Sequence, residues 1–350
     1  MLLWERGDEM LRDIFVGVVV NLLTVGVPAV TWFMLYTAVY YVRRSDFMKD
    51  VRRYLRPCDR VIKWDGSVIG YEEAPTEFVR VLTLEEQEKI LARGAKGKTL
   101  FNGDCVRLDS VQGGVAKLSR VKFFDFMTTN LVVKPASRGK QNVLEYLQEY
   151  LEDNEVREIR KLERRVTRVT GGQEKKTFED VLAIRELANI LTVSVVIEDC
   201  TGRVLLVKRG NKVAIASGNF ATTCAGSVAV EDLEQGDPIL SCAQRELEEE
   251  LGLKCKLKID CLVISKQKLQ PAALCIGKIE EKFEDVVETM KNARDFNEEN
   301  CAVFAVPREQ LAGVVKHYQF TDVAAFQLTG DVINWWSVKP VDIGRFRLEV

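Results

Sequence analysis

The stretch GSVAVEDLEQGDPILSCAQRELEEELGL, residues 226–253, decides how the rest of the chain is read. Asp237 suits a helix N-cap, and Pro238 follows at the first helical position, where its missing N–H has no intrahelical partner to lose. Gly252 suits the left-handed residue that ends a helix. Between them Leu240, Ala243, Leu247 and Leu251 recur at helical spacing and predict an apolar face. Glu246, Glu249 and Glu250 stand at i, i+3 and i+4, so the three carboxylates share another face, where like charges repel. Two readings stay open. One is a solvated surface helix, for which Glu is a good former. The other is a seat for a divalent cation; all-oxygen ligands suit Mg²⁺ or Mn²⁺, and Mg²⁺ usually bridges carboxylates and substrate phosphates.

The order of residues goes further than the spacing. Arg245-Glu246-Leu247-Glu248-Glu249-Glu250-Leu251-Gly252-Leu253 matches without a gap R-E-U-x-E-E-x-G-U, where U is aliphatic. That is the core of the Nudix box, and the chain resembles the Nudix hydrolases. The resemblance implies an α/β/α sandwich and hydrolysis of a nucleoside diphosphate linked to another group, with Mg²⁺ or Mn²⁺ as cofactor. Carried over by position, it implies that Glu249 and Glu250 hold the metal, that Glu246 is a further ligand or the general base, and that Arg245 orients the carboxylates. The family differs within itself over which carboxylate is the base. The front half departs from the full pattern, G-x5-E-x7-R. Counting back from Arg245 puts Asp237 at the Glu position and Glu231 at the Gly position. Gly226 is the expected equivalent of that Gly, which makes the loop five residues longer.

Composition bounds the alternatives. The chain has 350 residues, enough for two domains, and 47% hydrophobic residues, enough for a sizeable core. A net charge of −2 gives no global basic character, so nucleic acid is not an expected partner. Nine cysteines are scattered with no C-x-x-C pair, which favours buried thiols in a reducing compartment. With one histidine, His317, a His-based zinc site is not expected, and a Ser-His-Asp triad would have to use that residue.

After an N-terminal tail, residues 1–13, comes IFVGVVVNLLTVGVPAVTWFMLYTAVYYV, residues 14–42, which has 29 residues and no charge. At ~1.5 Å per residue it exceeds a hydrocarbon core of ~30 Å and predicts one transmembrane helix. Trp32, Tyr36, Tyr40 and Tyr41 gather near one end as an interfacial belt would. The alternative is a buried core helix; a cleaved signal peptide fits poorly, because the preceding segment is not basic and the apolar run is too long. The following segment, residues 43–63, is rich in Arg and Lys, which places the N-terminus outside and the C-terminal part in the cytosol. The lipid bilayer is then a partner.

Residues 64–190 read as a small α+β domain and 191–350 as the Nudix domain. Thr83-Leu84-Glu85-Glu86 is a capping box for a helix ending at Gly94. CVRLDSV and VAKLSRVKFF, joined by Gln112-Gly113-Gly114, predict a hairpin. FEDVLAIRELANIL, residues 178–191, predicts a helix. Arg107-Leu108, Phe124, Asp125, Thr129 and Asn130 resemble a signature of the Nudix branch that hydrolyses UDP-glucose; these polar residues either touch substrate or fix turns. LTVSVVIE and RVLLVKR predict strands around a turn at residues 199–202, and KLKIDCLVISK and AALCIGKI predict two more. Lys208, Arg209 and Gly226 are the candidate substrate-binding residues, since a guanidinium fork suits phosphate oxygens. Gly218-Asn219-Phe220 resembles a G-x-W/F element, and Glu280 or Glu281 falls where relatives often supply a further carboxylate. The tail predicts a strand and closing helices, with Trp335 and Trp336 in the core or at an interface.

The resulting expectation is a membrane-anchored, metal-dependent hydrolase acting on a nucleotide, a nucleotide sugar being one candidate. The alternative is a non-catalytic nucleotide sensor that signals through an oligomerising transmembrane helix.

Overall fold

Alternating apolar runs become paired strands in the computed structural model, which describes residues 61–63, 70–94, 102–131, 133, 152–170, 178–210, 218–265, 268–330 and 338–349. The strands are β1 (Val61–Lys63), β2 (Gly70–Glu73), β3 (Asp104–Gln112), β4 (Val115–Lys122), β5 (Thr192–Glu198), β6 (Arg203–Arg209), β7 (Phe220–Ala221), β8 (Cys224–Ser227), β9 (Leu257–Ile264), β10 (Pro271–Lys278) and β11 (Asn300–Pro307). The helices are α1 (Leu84–Gly94), α2 (Phe123–Thr128), α3 (Asp153–Thr170), α4 (Phe178–Leu182), α5 (Pro238–Leu251), α6 (Val287–Lys291), α7 (Phe296–Glu299), α8 (Leu311–His317) and α9 (Asp322–Thr329).

The main sheet runs β1-β9-β10-β5-β6-β11, with β8 added to β5 and β7 to β6. The β10–β5 pair is parallel and the others are antiparallel. Side chains alternate along a strand, so each strand feeds two layers. Ala273 and Cys275 of β10 join Val193, Val195 and Ile197 of β5 beneath Ala243 and Leu247 of α5. Ala272 and Leu274 point the other way and pack with Cys261 and Val263 against Val323 and Phe326 of α9. A mixed sheet between two helical layers is the sandwich expected from the box.

Helix α5 follows its local signals. Asp237 Oδ1 accepts from Ile239 N and Leu240 N at 3.0 Å each, and Pro238 opens the first turn. Gly252 closes the helix at φ 66°, its N–H bonded to Glu248 O at 2.9 Å. Ala243, Leu247 and Leu251 are fully buried. Each Leu contributes roughly 1.5–3 kcal/mol of apolar burial.

The capping box of α1 forms as read: Glu86 N donates to Thr83 Oγ1 at 3.3 Å and Thr83 N to Glu86 Oε2 at 2.6 Å. Strands β3 and β4 form the predicted hairpin, with Gly113 at φ 59° and Gly114 at φ 77°, the positive pair that a two-residue hairpin turn requires. β3 is sewn to the box region through Val106 N to Val228 O and Leu191 N to Val106 O, both 2.9 Å. Val106, Leu108, Ala116 and Leu118 share the core of the main sheet, and Tyr54–Val350 forms one compact unit.

The helix predicted over residues 178–191 stops at Leu182. Its carbonyls find other donors. Buried Arg107 donates to Leu187 O at 3.3 Å and Asn189 Nδ2 to Leu182 O at 3.4 Å, while Asn130 Oδ1 accepts from Asn189 N at 3.3 Å. Asn189 itself sits at φ 40°, a backbone region that Asn tolerates better than most residues. Val61–Lys63, read as the end of the basic segment, pairs antiparallel with β9 at Cys261–Val263. The apolar run at 14–42, and Trp335 and Trp336, lie outside the described residues. Among the described residues no helix is long and apolar enough to cross a membrane.

Candidate active site

Arg245 organises the site. Its Nε and Nη2 donate to the two oxygens of Asp232 at 3.1 and 3.0 Å, its Nη2 to Ser227 O at 3.3 Å, and its Nη1 to Glu246 Oε1 at 2.7 Å and Glu249 Oε2 at 3.2 Å. Burial works against the Arg245 charge, but the bonds to Asp232 and the nearby Glu246 hold its pKa above the usual value. Asp232 is fixed in turn by Ala229 N at 2.8 Å, within a 3-10 turn at Val230–Gln235. Arg294 holds Glu249 from outside at 2.9 Å.

This corrects the alignment of the box's front half. Asp237 is the helix cap and bonds Tyr71 Oη at 2.9 Å. The acid paired with Arg245 is Asp232, which stands six residues after Gly226, so the G-x5-acid spacing is intact. The five extra residues lie between that acid and Arg245, as the end of the 3-10 turn and the helix cap.

Gly226 meets the box helix directly. A Cβ on Gly226 would stand 2.0 Å from the carboxyl carbon of Glu246, so only a bare backbone lets that carboxylate lie against β8. Glu250 is 3% exposed. It accepts from Ala225 N and from Asn300 Nδ2, each at 3.4 Å. Burial, and then the Glu246 charge, push its pKa up to about 8, with Arg209 pulling the other way. Burial likewise raises Glu246, opposed by Arg245.

Of the candidate substrate residues, Arg209 and Gly226 line one pocket of about 180 Å³. Arg209 Nη2 bonds Glu299 at 3.1 Å, while its Nε is buried without a hydrogen-bond partner. Lys208, the next residue along the strand, is not in that lining; its ammonium lies over the Phe220 ring, 5.8 Å from the centroid. Phe220 packs with Phe304, Tyr318 and Phe320, so the aromatic residue of the Gly218-Asn219-Phe220 element builds core. Glu280 and Glu281 are exposed beyond the Glu198 end of β5, whereas Gly226 pairs with Val193 near its start. The further acid whose charge reaches Glu250, after Glu246, is Glu299. Nothing local in the sequence signals Glu299 or Asn300; they arrive because β11 pairs with β6.

The middle-segment signature is structural. Asp125 is fully buried, bound by Arg80 at 2.7 and 2.9 Å, by Gln87 at 2.9 Å and by Lys122 N at 3.0 Å. Asn130 Nδ2 donates to Leu269 O at 2.9 Å, and Arg107 pairs with Asp109.

The donor set suits a hard divalent cation: carboxylates only, one of them buried so deeply that it needs a proton or a cation for company. Among the described residues no three or more His, Cys, Asp or Glu already form a group that could hold a metal ion. Arg245 Nη1 bonds one oxygen of each of two carboxylates, Glu246 Oε1 and Glu249 Oε2, and so holds the pair side by side.

Residues 188–321 match the family model of the NUDIX domain. No protein of curated function matches the chain. Solved structures similar to it include a mutT/nudix family protein from Listeria innocua, 15% identical over 40% of this chain and 90% of that one, TM-score 0.31. A MutT protein from Methanosarcina mazei Go1 is 19% identical over 35% and 80%, TM-score 0.28. The NUDIX domain of Shewanella oneidensis NrtR, solved with ADP ribose, is 17% identical over 40% and 84%, TM-score 0.30. These likenesses are distant; the domain assignment rests on the family match.

Proposed function

We infer that this chain, a Nudix pyrophosphohydrolase by its domain at residues 188–321, splits a nucleoside diphosphate linked to another group, with Mg²⁺ or Mn²⁺ as cofactor and water attacking phosphorus. The observation that carries the reading is the seating of Glu246 and Glu250 against Ala225 and Gly226 of β8, with Arg245 gathering Glu246, Glu249 and Asp232. Glu246, Glu249 and Glu250 would hold the cation. Bound there, it supplies charge neutralisation at the diphosphate and a more acidic water.

The remaining steps belong to the chain. Arg245 holds the carboxylates in register through its bonds to Asp232. Glu246, raised in pKa by burial, takes the proton of the attacking water if it is not itself a ligand. Arg209 Nε, buried and unpartnered, supplies a donor for a phosphate oxygen. Gly226, the candidate substrate-binding glycine, gives the Glu246 carboxylate room against the backbone of β8. The products are a nucleoside monophosphate and a phosphorylated partner. The resemblance of the middle segment adds a nucleotide sugar as the linked compound to try first. The apolar run at 14–42 serves in this reading as a membrane anchor, with the C-terminal part in the cytosol; protease protection in sealed vesicles tests that topology.

The function is tested by turnover of UDP-glucose, ADP-ribose, dinucleoside polyphosphates and nucleoside triphosphates by the full-length protein with Mg²⁺. Cleavage that chelation stops, and that Glu249→Gln lowers at least about a hundredfold, supports the reading. Cleavage indifferent to both overturns it.

A further inference from the structure

Helix α3, Asp153–Thr170, supplies nothing to the site described above, and its two faces differ in kind. Ile159, Leu162 and Val166 are buried. Leu162 and Val166 join the core of the main sheet with Phe178 and Val181 of α4, and Ile159 joins Leu82, Ile90 and Leu91 around α1. At about 100° per residue, Arg157, Arg160, Lys161, Arg164 and Arg168 fall on the opposite face, within an arc of about 100° and a length of about 16 Å. All five are exposed. Lys161 meets Glu158 on the flank of this stripe at 2.6 Å, and Arg164 Nε donates to Arg160 O at 3.3 Å. Among the described residues no acid pairs with Arg157, Arg160, Arg164 or Arg168. An apolar residue stands near the stripe. Val79, 51% exposed, and Leu84 are the exposed large hydrophobic residues among those described. Val79 N donates to Arg185 O at 2.9 Å, and the next residue, Glu186, pairs with Arg165 of α3.

We propose that the basic stripe of α3, with Val79 nearby, is a docking surface for the anionic headgroups of a phospholipid leaflet. The inference goes beyond the hydrolase reading and stands without it. Three observations argue for it. The first is charge. A helix face meant for solvent alone interleaves its signs, whereas here the acids of the helix body lie beside or behind the stripe and the cations stand together. The second is shape. The apolar face of α3 is anchored in the core, so the helix cannot turn, and its straight outer face presents guanidinium forks to a flat array of phosphates. Each such residue near an anionic leaflet strengthens attachment about fivefold. The third is the neighbouring side chain. An exposed valine suits the boundary between headgroups and acyl chains. Single-stranded nucleic acid is held instead by bases stacked on aromatic rings beside the cations, and neither exposed large hydrophobic residue is aromatic. In the topology proposed above, the folded unit faces the cytosolic leaflet, the one that carries anionic lipid. The middle segment thereby gains a part in orienting the domain at the membrane.

The test is arginine footprinting of the full-length protein with phenylglyoxal, read by mass spectrometry. The protein is placed in nanodiscs of phosphatidylcholine alone or of an equimolar mixture with phosphatidylserine. Arg157, Arg160, Arg164 and Arg168 should react at least about fivefold more slowly in the mixed discs. Salt at about 1 M, which shortens the screening length to about 3 Å, should remove the difference. Arg308, exposed and bonded to Glu198, should react alike in both. The double variant Arg160→Gln, Arg164→Gln removes two of the contacts, so Arg157 and Arg168 should lose their protection in the mixed discs. Its melting temperature should match wild type, because both side chains are exposed; if it unfolds instead, the wild-type comparison between the two discs still decides. Equal rates in the two discs, or a slowing that Arg308 shares, overturns the proposal. So does protection already present in detergent, which assigns the face to another part of the chain or to a second copy. Protection by RNA in detergent, with none from phosphatidylserine, overturns it in favour of nucleic acid. If phosphatidylcholine discs do not retain the protein, the anchor reading fails, and the same footprint with mixed discs added still decides the stripe.

Discussion

Replacing Glu250 by Gln should stabilise the metal-free protein while destroying its response to Mg²⁺. The carboxyl is almost fully buried and its pKa is pushed from 4.5 to about 8 by burial and by Glu246. Between those values the folded state binds a proton that the unfolded state has released, so folding stability falls as pH rises. Each pH unit in that window costs the wild type about 1.4 kcal/mol, which reaches about 3 kcal/mol by pH 7. Gln is nearly isosteric, keeps an acceptor for Ala225 N and carries no charge. The variant should therefore melt about 4 °C above wild type at pH 7 without metal and coincide with it below pH ~4.5. The assay is thermal denaturation of full-length protein in detergent from pH 4 to pH 8, with EDTA or with saturating Mg²⁺. Mg²⁺ should raise the wild type and leave the variant where it was. A variant that melts below wild type at pH 7 in EDTA, or a pH-independent gap between them, refutes the reasoning that burial of this carboxylate is uncompensated without a cation.

Gly226→Ala places a methyl where the Glu246 carboxyl lies, 2.0 Å from its carbon, so turnover should fall at least about a hundredfold as that side chain is driven from β8; the mutant's kinetics and melting curve separate this from unfolding. Asp232→Ala leaves half-buried Arg245 without its bidentate partner and should cost about 3 kcal/mol, read by denaturant titration. Asp199 is buried, and although burial raises its pKa, hydrogen bonds from Thr201 and Arg203 outweigh that and hold it below the usual value. Its folded pKa being depressed, the stability it contributes is present above the ordinary carboxylate range and lost as pH falls through the folded value. Asp199→Asn should cost about 2 kcal/mol at pH 7 and converge with wild type in strong acid, checked by urea unfolding at both pH values.

What the sequence revealed was local, and what it hid was tertiary. The cap at Asp237, the stop at Gly252 and the hairpin at Gly113-Gly114 are each fixed by a few adjacent residues, and each formed as read. Counting back from Arg245 puts Asp237 at the motif's acid position because it assumes a loop of fixed length; the acid that meets Arg245 is Asp232, carried there by the 3-10 turn. Residues 183–191 have helical periodicity yet are buried on several sides, so period cannot distinguish a helix from a coil whose carbonyls are claimed by Arg107 and Asn189. Alternation along β6 separates Lys208 from Arg209, but which of the two enters the pocket depends on the layer that covers each face. Glu299 and Asn300 could not be seen beside Glu250, because strand pairing across the sheet brings them there.

The most direct measurement of the central claim is hydrolysis of UDP-glucose and ADP-ribose by the full-length protein in ¹⁸O-labelled water with Mg²⁺, followed by mass spectrometry of the products. The account predicts one labelled oxygen on a phosphate product, the nucleoside monophosphate or the phosphorylated partner, and no label at a sugar carbon. Label at the sugar carbon, or release of products at the same rate without a divalent metal, would contradict it.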